Sequence, residues 1–368
     1  MKIDKSDVVL AHDSFTQYGG AERVIEAISE IYPNSEIYTL ATDPKVLRHL
    51  AGKVFKTSFL NLFYKIIPKL QWWFPFAPAA LRFLKIRNAK VVISSSSAYM
   101  KGLRKPEGSI HIDYCHTPTR FLWSDIVYAE GEVPKILRPL MRAYLLWLRK
   151  WDLKAASNVD YFIANSKEVQ NRIKRYYNRE SKLIYPYIDT NFWRNSKSKQ
   201  NYYLVAGRLT PYKGYEKVIE IFNELGLRLH VIGEGRYSSY LQSIANRNII
   251  FFGRVSDKEL RDQYSSAQAF IYPQVEDFGL MPLEAASCGT PTIALAKAGS
   301  LETVLPGITG ELVENFDSET VKNLIHNWDV TKYNPERMKQ HAMSFSKDVF
   351  QENIRNYVNE VINHASRN

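Results

Sequence analysis

The sequence predicts an α/β protein of two doubly wound halves facing each other across a cleft. Strand-like apolar runs alternate with segments of helical period, as in a parallel sheet covered on both faces. That alternation stops at a polar run, Arg194 to Asn201, and then begins again. At 368 residues the chain also exceeds what one ordinary core organises. The polar run reads as an interdomain linker, which gives domains of residues 1–194 and 195–345 followed by a terminal helix, 346–368.

In the first half, Val8 to Ala11 reads as a strand, followed by the glycine loop Gln17 to Glu22. Ala21 to Ile31 carries Val24, Ile25, Ala27, Ile28 and Ile31 at helical spacing. Further strands are expected at Glu36 to Thr39, Val91 to Ser94, His111 to Cys115 and Tyr161 to Ala164, with a long helix over Leu137 to Ala156. In the second half, the strand Tyr202 to Ala206, the loop Gly207 to Gly214 and the helix Tyr215 to Leu225 repeat the opening motif. Strands follow at Arg228 to Ile232, Ile249 to Phe252, Ala269 to Tyr272 and Thr290 to Ala294. The last helix, Phe345 to Ala365, aligns Phe350, Ile354, Tyr357, Val358 and Val361 on one face.

Ligands of such sheets bind beyond the carboxyl ends of the strands, and the loops there carry the chemistry. The densest signal is Glu276 to Glu284, directly after the strand ending at Tyr272. Pro282 suits the first turn of a helix, which puts Glu276 on the loop and Glu284 about two turns up at about 1.5 Å per residue. The amides of Gly279, Leu280 and Met281 would meet the positive end of that helix, an arrangement suited to phosphate. Two acids bracketing an anion site suit a nucleotide sugar; the plainer reading is a polar loop and a solvated glutamate. In Gly207 to Gly214, Arg208 offers a planar fork and Lys213 a movable charge for a diphosphate, where two ordinary surface cations are the alternative.

The first half adds weaker signals. Gly19 and Gly20 precede a helix and admit close approach of phosphate or sugar, although a tight turn needs nothing more. His116, followed by Pro118, belongs on a strand-end loop where it can hydrogen-bond a substrate. Ser166 can cap the helix starting at Lys167, contact a substrate, or both. Gly233-Glu234-Gly235 and Gly253-Arg254-Val255 could line a nucleobase pocket or simply turn the chain. His111, Asp113 and Cys115 fall on one strand face and His116 on the other, so no metal site is expected, and no Asp-X-Asp triplet occurs.

Composition narrows the classes. No stretch of eighteen apolar residues occurs, the N-terminus runs straight into a strand without a signal-peptide pattern, and two cysteines cannot build a disulfide framework. A cytoplasmic protein is expected. The net charge of +11 is concentrated: residues 44–106 hold thirteen Lys or Arg, no Asp or Glu, and eight Phe, Tyr or Trp from Phe59 to Phe83. Such a segment suits an anionic membrane surface. Without a basic recognition helix or an RNA-binding aromatic motif, a nucleic-acid partner is not expected.

On these residues the chain resembles the retaining GT-B glycosyltransferases of family 4. The resemblance rests on Gly207-Arg208-Leu209 with Lys213-Gly214, Glu276 to Glu284, Cys288 to Pro291, and Gly299 with Glu302-Thr303-Val304. Gly19 to Glu22, Cys115 to Arg120 and Ala164 to Ser166 resemble a bacterial subgroup of mannosyltransferases that builds O-antigen and exopolysaccharide chains. The resemblance implies two Rossmann-like domains, acceptor-binding then donor-binding, with the terminal helix crossing back to the first. It implies transfer of a hexose, mannose from GDP-mannose or else glucose from UDP-glucose, to a lipid-linked or growing surface glycan. No cofactor or metal is expected, and the basic, aromatic-rich segment 44–106 suits a peripheral place on the inner face of the cell membrane. Glu276 would hold donor-sugar hydroxyls, Glu284 the ribose, Arg208 and Lys213 the diphosphate, and His116 the transferred sugar. Gly19 and Gly20 would lie near the distal phosphate and the acceptor. From their loop positions alone, Gly279, Leu280, Met281, Arg254, Val255 and Ser166 are expected to line the donor. Tyr187 stands where family members often have a second proline, which blurs the domain border.

Overall fold

The structure is a computed structural model describing residues 7–69, 72–124 and 134–365. The N-terminal run before Asp7, Leu70 and Gln71 of the basic segment, and residues 366–368 of the expected last helix lie outside the described residues. The chain divides into two compact units, residues 1–186 with 350–368, and residues 187–349.

The first unit is built on β1 (Val8–His12), β2 (Ile37–Thr39), β3 (Phe55–Thr57), β4 (Val91–Ser96), β5 (Ile110–Cys115), β6 (Tyr161–Ala164) and β7 (Ser181–Leu183). They form one parallel sheet in the order β3-β2-β1-β4-β5-β6-β7. β1 and β4 are buried along their whole length, β1 as a mostly apolar run and β4 with apolar residues followed by three buried serines at its carboxyl end. The edge strands β3 and β7 were not expected from sequence. Each is three residues long with an exposed lysine, Lys56 or Lys182, at its centre, so neither carries the apolar run that marks a buried strand. The helix Gly20–Ile31 buries Val24, Ile25, Ala27, Ile28 and Ile31, the expected stripe. The last helix, Lys347–Ala365, buries Phe350, Ile354, Val358 and Val361. From Phe350 onward it belongs to the first unit, where Phe350 meets Tyr114 edge-on at 5.9 Å and the Gln351 amide donates to the Ala27 carbonyl at 3.0 Å.

The second unit holds β8 (Tyr203–Ala206), β9 (Leu229–Ile232), β10 (Ile249–Gly253), β11 (Phe270–Tyr272), β12 (Thr292–Leu295) and β13 (Gly310–Val313), parallel in the order β10-β9-β8-β11-β12-β13. β13, an edge strand opened by glycine, is again one the sequence does not announce. The boundary corrects the expected one: the second unit begins at Tyr187, and the polar run 194–201 is part of it. Ile188 bridges to Ser346, Trp193 is 2% exposed against Tyr264, and the Ser196 amide and hydroxyl bond Ser265 and Asp262. Polar side chains mark a linker only when nothing on the folded surface satisfies them. Here hydroxyls and carboxylates of the helix Asp257–Ser266 do so.

Each sheet has one place where the chain order reverses, β1/β4 in the first unit and β8/β11 in the second. Adjacent connections leave in opposite directions there, which opens a crevice beyond the strand ends.

Candidate functional site

In the second unit the loops after β8 and β11 flank the reversal. The Lys213 ammonium lies 2.8 Å from the Glu276 carboxylate, and both side chains reach solvent. The β8 loop is fixed from beneath. Buried Tyr215 donates to the Ala206 carbonyl at 2.9 Å, and the next residue, Gly207, has φ 131°. A Cβ there would lie 2.5 Å from the Tyr215 hydroxyl, so only glycine fits. The β11 loop is tied to the β12 loop, with the Gly299 amide donating to the Glu276 carbonyl at 3.0 Å. A Cβ on Gly299 would lie 2.0 Å from the Phe278 carbonyl oxygen, which accounts for that glycine.

The helix after the β11 loop runs Leu280–Ser287, with Gly279 at its N-cap in the left-handed region (φ 83°) and Pro282 in its first turn. The early amides of this helix, which include those of Leu280 and Met281, have no carbonyl partner within the helix and can receive an anion. Glu284 is 7% exposed rather than solvated, which removes the plainer sequence reading. Its charge, after burial itself, helps push the Cys288 thiol up to about 12, so that cysteine is a buried neutral group. Arg208 is exposed and has no polar partner among the described residues. Arg254 and Val255 follow the edge strand β10, which β9 separates from β8. The glycines Gly233 and Gly235 have a packing cause: a Cβ on either would lie within 2.0 Å of the Gly207 or Leu209 carbonyl oxygen.

In the first unit the reversal carries a chain of polar side chains that is buried at His12, Ser95 and Glu22 and half-buried at His116. His12 ends β1, Ser95 pairs with it in register on β4, and His116 follows β5. His12 Nδ1 lies 3.2 Å from the Ser95 carbonyl oxygen and 3.1 Å from its Oγ, and Ser95 Oγ lies 2.7 Å from His116 Nε2. At the other end His12 Nε2 lies 3.5 Å from Glu22 Oε1, and Glu22 Oε2 accepts from the Gly19 amide at 2.9 Å. Burial, with the His12 charge adding, pushes His116 down to about 3, so its ring is neutral near pH 7. Gly19 has extended backbone and is the N-cap of the helix beginning at Gly20. Ser166 serves as the cap of Lys167–Tyr177, accepting from the Val169 amide at 3.1 Å, and lies at the end of β6, two strands from β4.

Sequence reading singled out His116 but not His12, Ser95 or Asp13. Asp13 accepts four amides, those of Ser97, Ala98, Tyr99 and Met100, at 2.6–2.9 Å, locking the end of β1 to the loop after β4. The carboxyl-end rule applied to β1 and β4, whose ends read Ala11-His12-Asp13 and Ser94-Ser95-Ser96, would have found them. The loop after β5 is anchored deeper, by a fully buried Lys101–Asp152 pair at 2.7 Å. Asp152 also accepts from Thr119, Trp123 and Tyr177 at 2.8–2.9 Å. Among the described residues, no cluster of three or more His, Cys, Asp or Glu could hold a metal ion.

The basic segment divides in two. Lys53, Lys56, Lys90, Lys101 and Lys105 are engaged inside the unit by carbonyls or carboxylates, and Tyr64 is buried. Phe59, Phe63, Trp72, Phe76 and Phe83 stay exposed, with Lys69 over the Trp72 ring at 5.1 Å. The helix Arg138–Ser157 adds to this surface. It buries Leu145, Leu148 and Ala155 on one face yet exposes Leu140, Leu146 and Trp147 on the other, and Tyr144 ties it to the Pro75 carbonyl at 3.0 Å.

Residues 18–192 match the family model described as Glycosyltransferase Family 4, and residues 188–344 match Glycosyl transferases group 1. A GDP-mannose-dependent monoacylated alpha-(1-6)-phosphatidylinositol monomannoside mannosyltransferase of Corynebacterium glutamicum is 32% identical over 134 residues, 32% of this chain and 35% of that protein. The O-antigen chain mannosyltransferase RfbU of Salmonella typhimurium is 28% identical over 166 residues, 42% of this chain and 46% of that protein. Over the first three of the curated relatives it matches, the chain spans 57%, 35% and 46% of their length. In fold it is similar to Anabaena HepE in complex with UDP, with a TM-score of 0.71 at 16% identity over 96% of this chain and 99% of that one.

Proposed function

We propose that this chain, which belongs to glycosyltransferase family 4 and has the GT-B fold, moves a hexose from a nucleotide-sugar donor to a glycan acceptor with retention of anomeric configuration. The observation that carries the reading is the Lys213–Glu276 pair at the β8/β11 reversal, beside the open amides of the helix Leu280–Ser287. A donor diphosphate can take Lys213 from Glu276 and bring in Arg208, leaving the carboxylate to accept from sugar hydroxyls. As the bond between the sugar's anomeric carbon and the phosphate oxygen breaks, its electron pair passes to that oxygen, where the two cations stabilise the growing charge. The acceptor hydroxyl bonds to the same carbon on the same face, and its proton goes to the leaving phosphate oxygen. Buried Glu284 holds the ribose in this scheme, and His116 faces the transferred sugar. No metal or cofactor enters it.

The donor is GDP-mannose on this reading, supported by two relatives named as mannosyltransferases. HepE with UDP supports a UDP-sugar as the second reading. A thermal-shift panel separates them, because a ligand at a hundred times its Kd stabilises the native state by about 2.7 kcal/mol. GDP-mannose is expected to raise Tm most; a rise with UDP-sugars alone selects the second reading, and no rise with any sugar nucleotide refutes the donor site.

The acceptor is lipid-linked, and the first unit meets an anionic membrane surface. Support comes from the exposed Trp72, Phe76 and Phe83 beside Lys69, Arg82 and Lys85, and from the outward apolar face of Arg138–Ser157. Each cation near an anionic leaflet adds about 1 kcal/mol. Salt-sensitive cosedimentation with vesicles containing anionic lipid is expected; equal binding to neutral vesicles, or none at low salt, refutes it.

A further inference from the structure

The hydrogen-bond polarity of the first unit's polar chain can be worked out atom by atom. The Ser95 carbonyl oxygen can only accept, so at 3.2 Å His12 Nδ1 must carry a hydrogen toward it. Glu22 Oε1 faces the other ring nitrogen, His12 Nε2, at 3.5 Å and flanks the ring, so the polarity of the chain is set at Nδ1. Ser95 Oγ, 3.1 Å from His12 Nδ1, then receives from His12 and has its single hydrogen left for His116 Nε2 at 2.7 Å. A neutral imidazole that accepts at Nε2 carries its hydrogen on Nδ1. His116 Nδ1 has no partner among the described residues.

We propose that Glu22, His12 and Ser95 are positioning residues that lock His116 in the neutral tautomer protonated on Nδ1, presenting one fixed hydrogen-bond donor at the β1/β4 reversal. The ligand chemistry this selects is an acceptor oxygen, such as a sugar hydroxyl in its accepting role. That last step rests on the proposed glycosyl transfer; the tautomer does not. The alternative polarity, with Ser95 donating to His12 and His116 donating from Nε2, sets the Ser95 carbonyl against a bare His12 nitrogen and exposes an acceptor instead of a donor.

The test is ring nitrogen NMR on the full chain labelled at histidine, without ligand, with resonances assigned from His12→Gln and His116→Gln. The expected spectrum near pH 7 shows His116 neutral with hydrogen on Nδ1 and bare Nε2, and His12 with hydrogen on Nδ1. In Ser95→Ala the hydrogen of His116 moves to Nε2 or divides between the two nitrogens, and in Ser95→Thr the original pattern returns. A wild-type His116 carrying its hydrogen on Nε2 overturns the proposal, as does a Ser95→Ala spectrum identical to wild type. Turnover separates the two claims. Ser95→Ala is expected to lower kcat by about 10²-fold with donor KM within about threefold, and Ser95→Thr to recover most of it. Normal turnover in Ser95→Ala with a changed tautomer would leave the lock standing and overturn its use in transfer.

Discussion

The two units solve the same topological problem with opposite materials. At the β8/β11 reversal the working groups are charged, solvent-reaching and carried on loops: Lys213, Glu276 and Arg208. At the β1/β4 reversal they are carried on or next to strand ends: His12 and Ser95 buried, His116 half-buried, with buried Glu22 behind them. The difference teaches how each ligand class is met. On the proposed function a diphosphate would be met by charges that exchange partners, which sit where water and ligand can reach them, and a hydroxyl by one group of fixed polarity, which is best held where water competes least.

The largest expected effect falls on the charged side. Glu276→Ala should lower kcat/KM for transfer by about 10³-fold or more, because it removes the sugar-hydroxyl contact and leaves Lys213 without its partner. Circular dichroism should be unchanged, since the pair is solvent-reaching; near-normal turnover with an intact fold would end the assignment of that carboxylate. Next, Lys213→Ala or Arg208→Ala should each cost about 10²–10³ in kcat/KM, typical of one lost charge-stabilising donor. If the loss appears only in acceptor KM, the contrast between the units is drawn in the wrong place.

On the buried side the effects should appear in stability. Asp152→Asn leaves Lys101 charged, fully buried and without a counter-ion, which should destabilise the first unit by about 3–5 kcal/mol. Chemical denaturation followed by circular dichroism reads this; a loss under about 1 kcal/mol would mean that the pair is not desolvated as the packing implies.

A smaller effect tests pH. Burial holds Asp113 at about 7, above its ordinary range, and His111 at about 4, below its own. Between about pH 4 and 6.5 folding therefore keeps a proton on Asp113 that the unfolded chain has released, so this group's contribution falls as pH rises. Folding strips His111 of a proton that the unfolded chain still holds, so its contribution rises with pH, and His116, held at about 3, acts in the same sense. Asp113→Asn should remove the falling term and make stability climb more steeply across that window. A slope unchanged from wild type would show that Asp113 is ionised in the fold. The smallest expected effect is none: millimolar EDTA should leave turnover intact, and loss of activity restored by a divalent cation would add a metal to the donor site.

The elements legible in the sequence were those with unambiguous local physics. Buried strands such as Val8–His12 and Phe270–Tyr272 are continuous apolar runs, and Gly20–Ile31 and Lys347–Ala365 carry stripes at helical period. The site loops of the second unit were legible for a related reason. Gly207, Gly279 and Gly299 are each forced by backbone geometry or close approach, so their spacing survives as a motif. The edge strands Phe55–Thr57 and Ser181–Leu183 were hidden because an exposed strand with a central lysine looks like a loop. The run 194–201 misled because its polar side chains find partners far along the chain, at Asp262 and Ser265.

By itself the sequence determined the fold class, the doubled parallel sheet and the charged half of the candidate site, because strand, turn and helix-terminus signals are local. Only the tertiary structure decided the neutral half. His12, Ser95 and His116 stand apart in the chain and become neighbours through parallel pairing of β1 and β4, β4 and β5. Their register, set by burial of whole strands rather than by any short motif, puts a carboxylate, two imidazoles and a hydroxyl in one water-poor row.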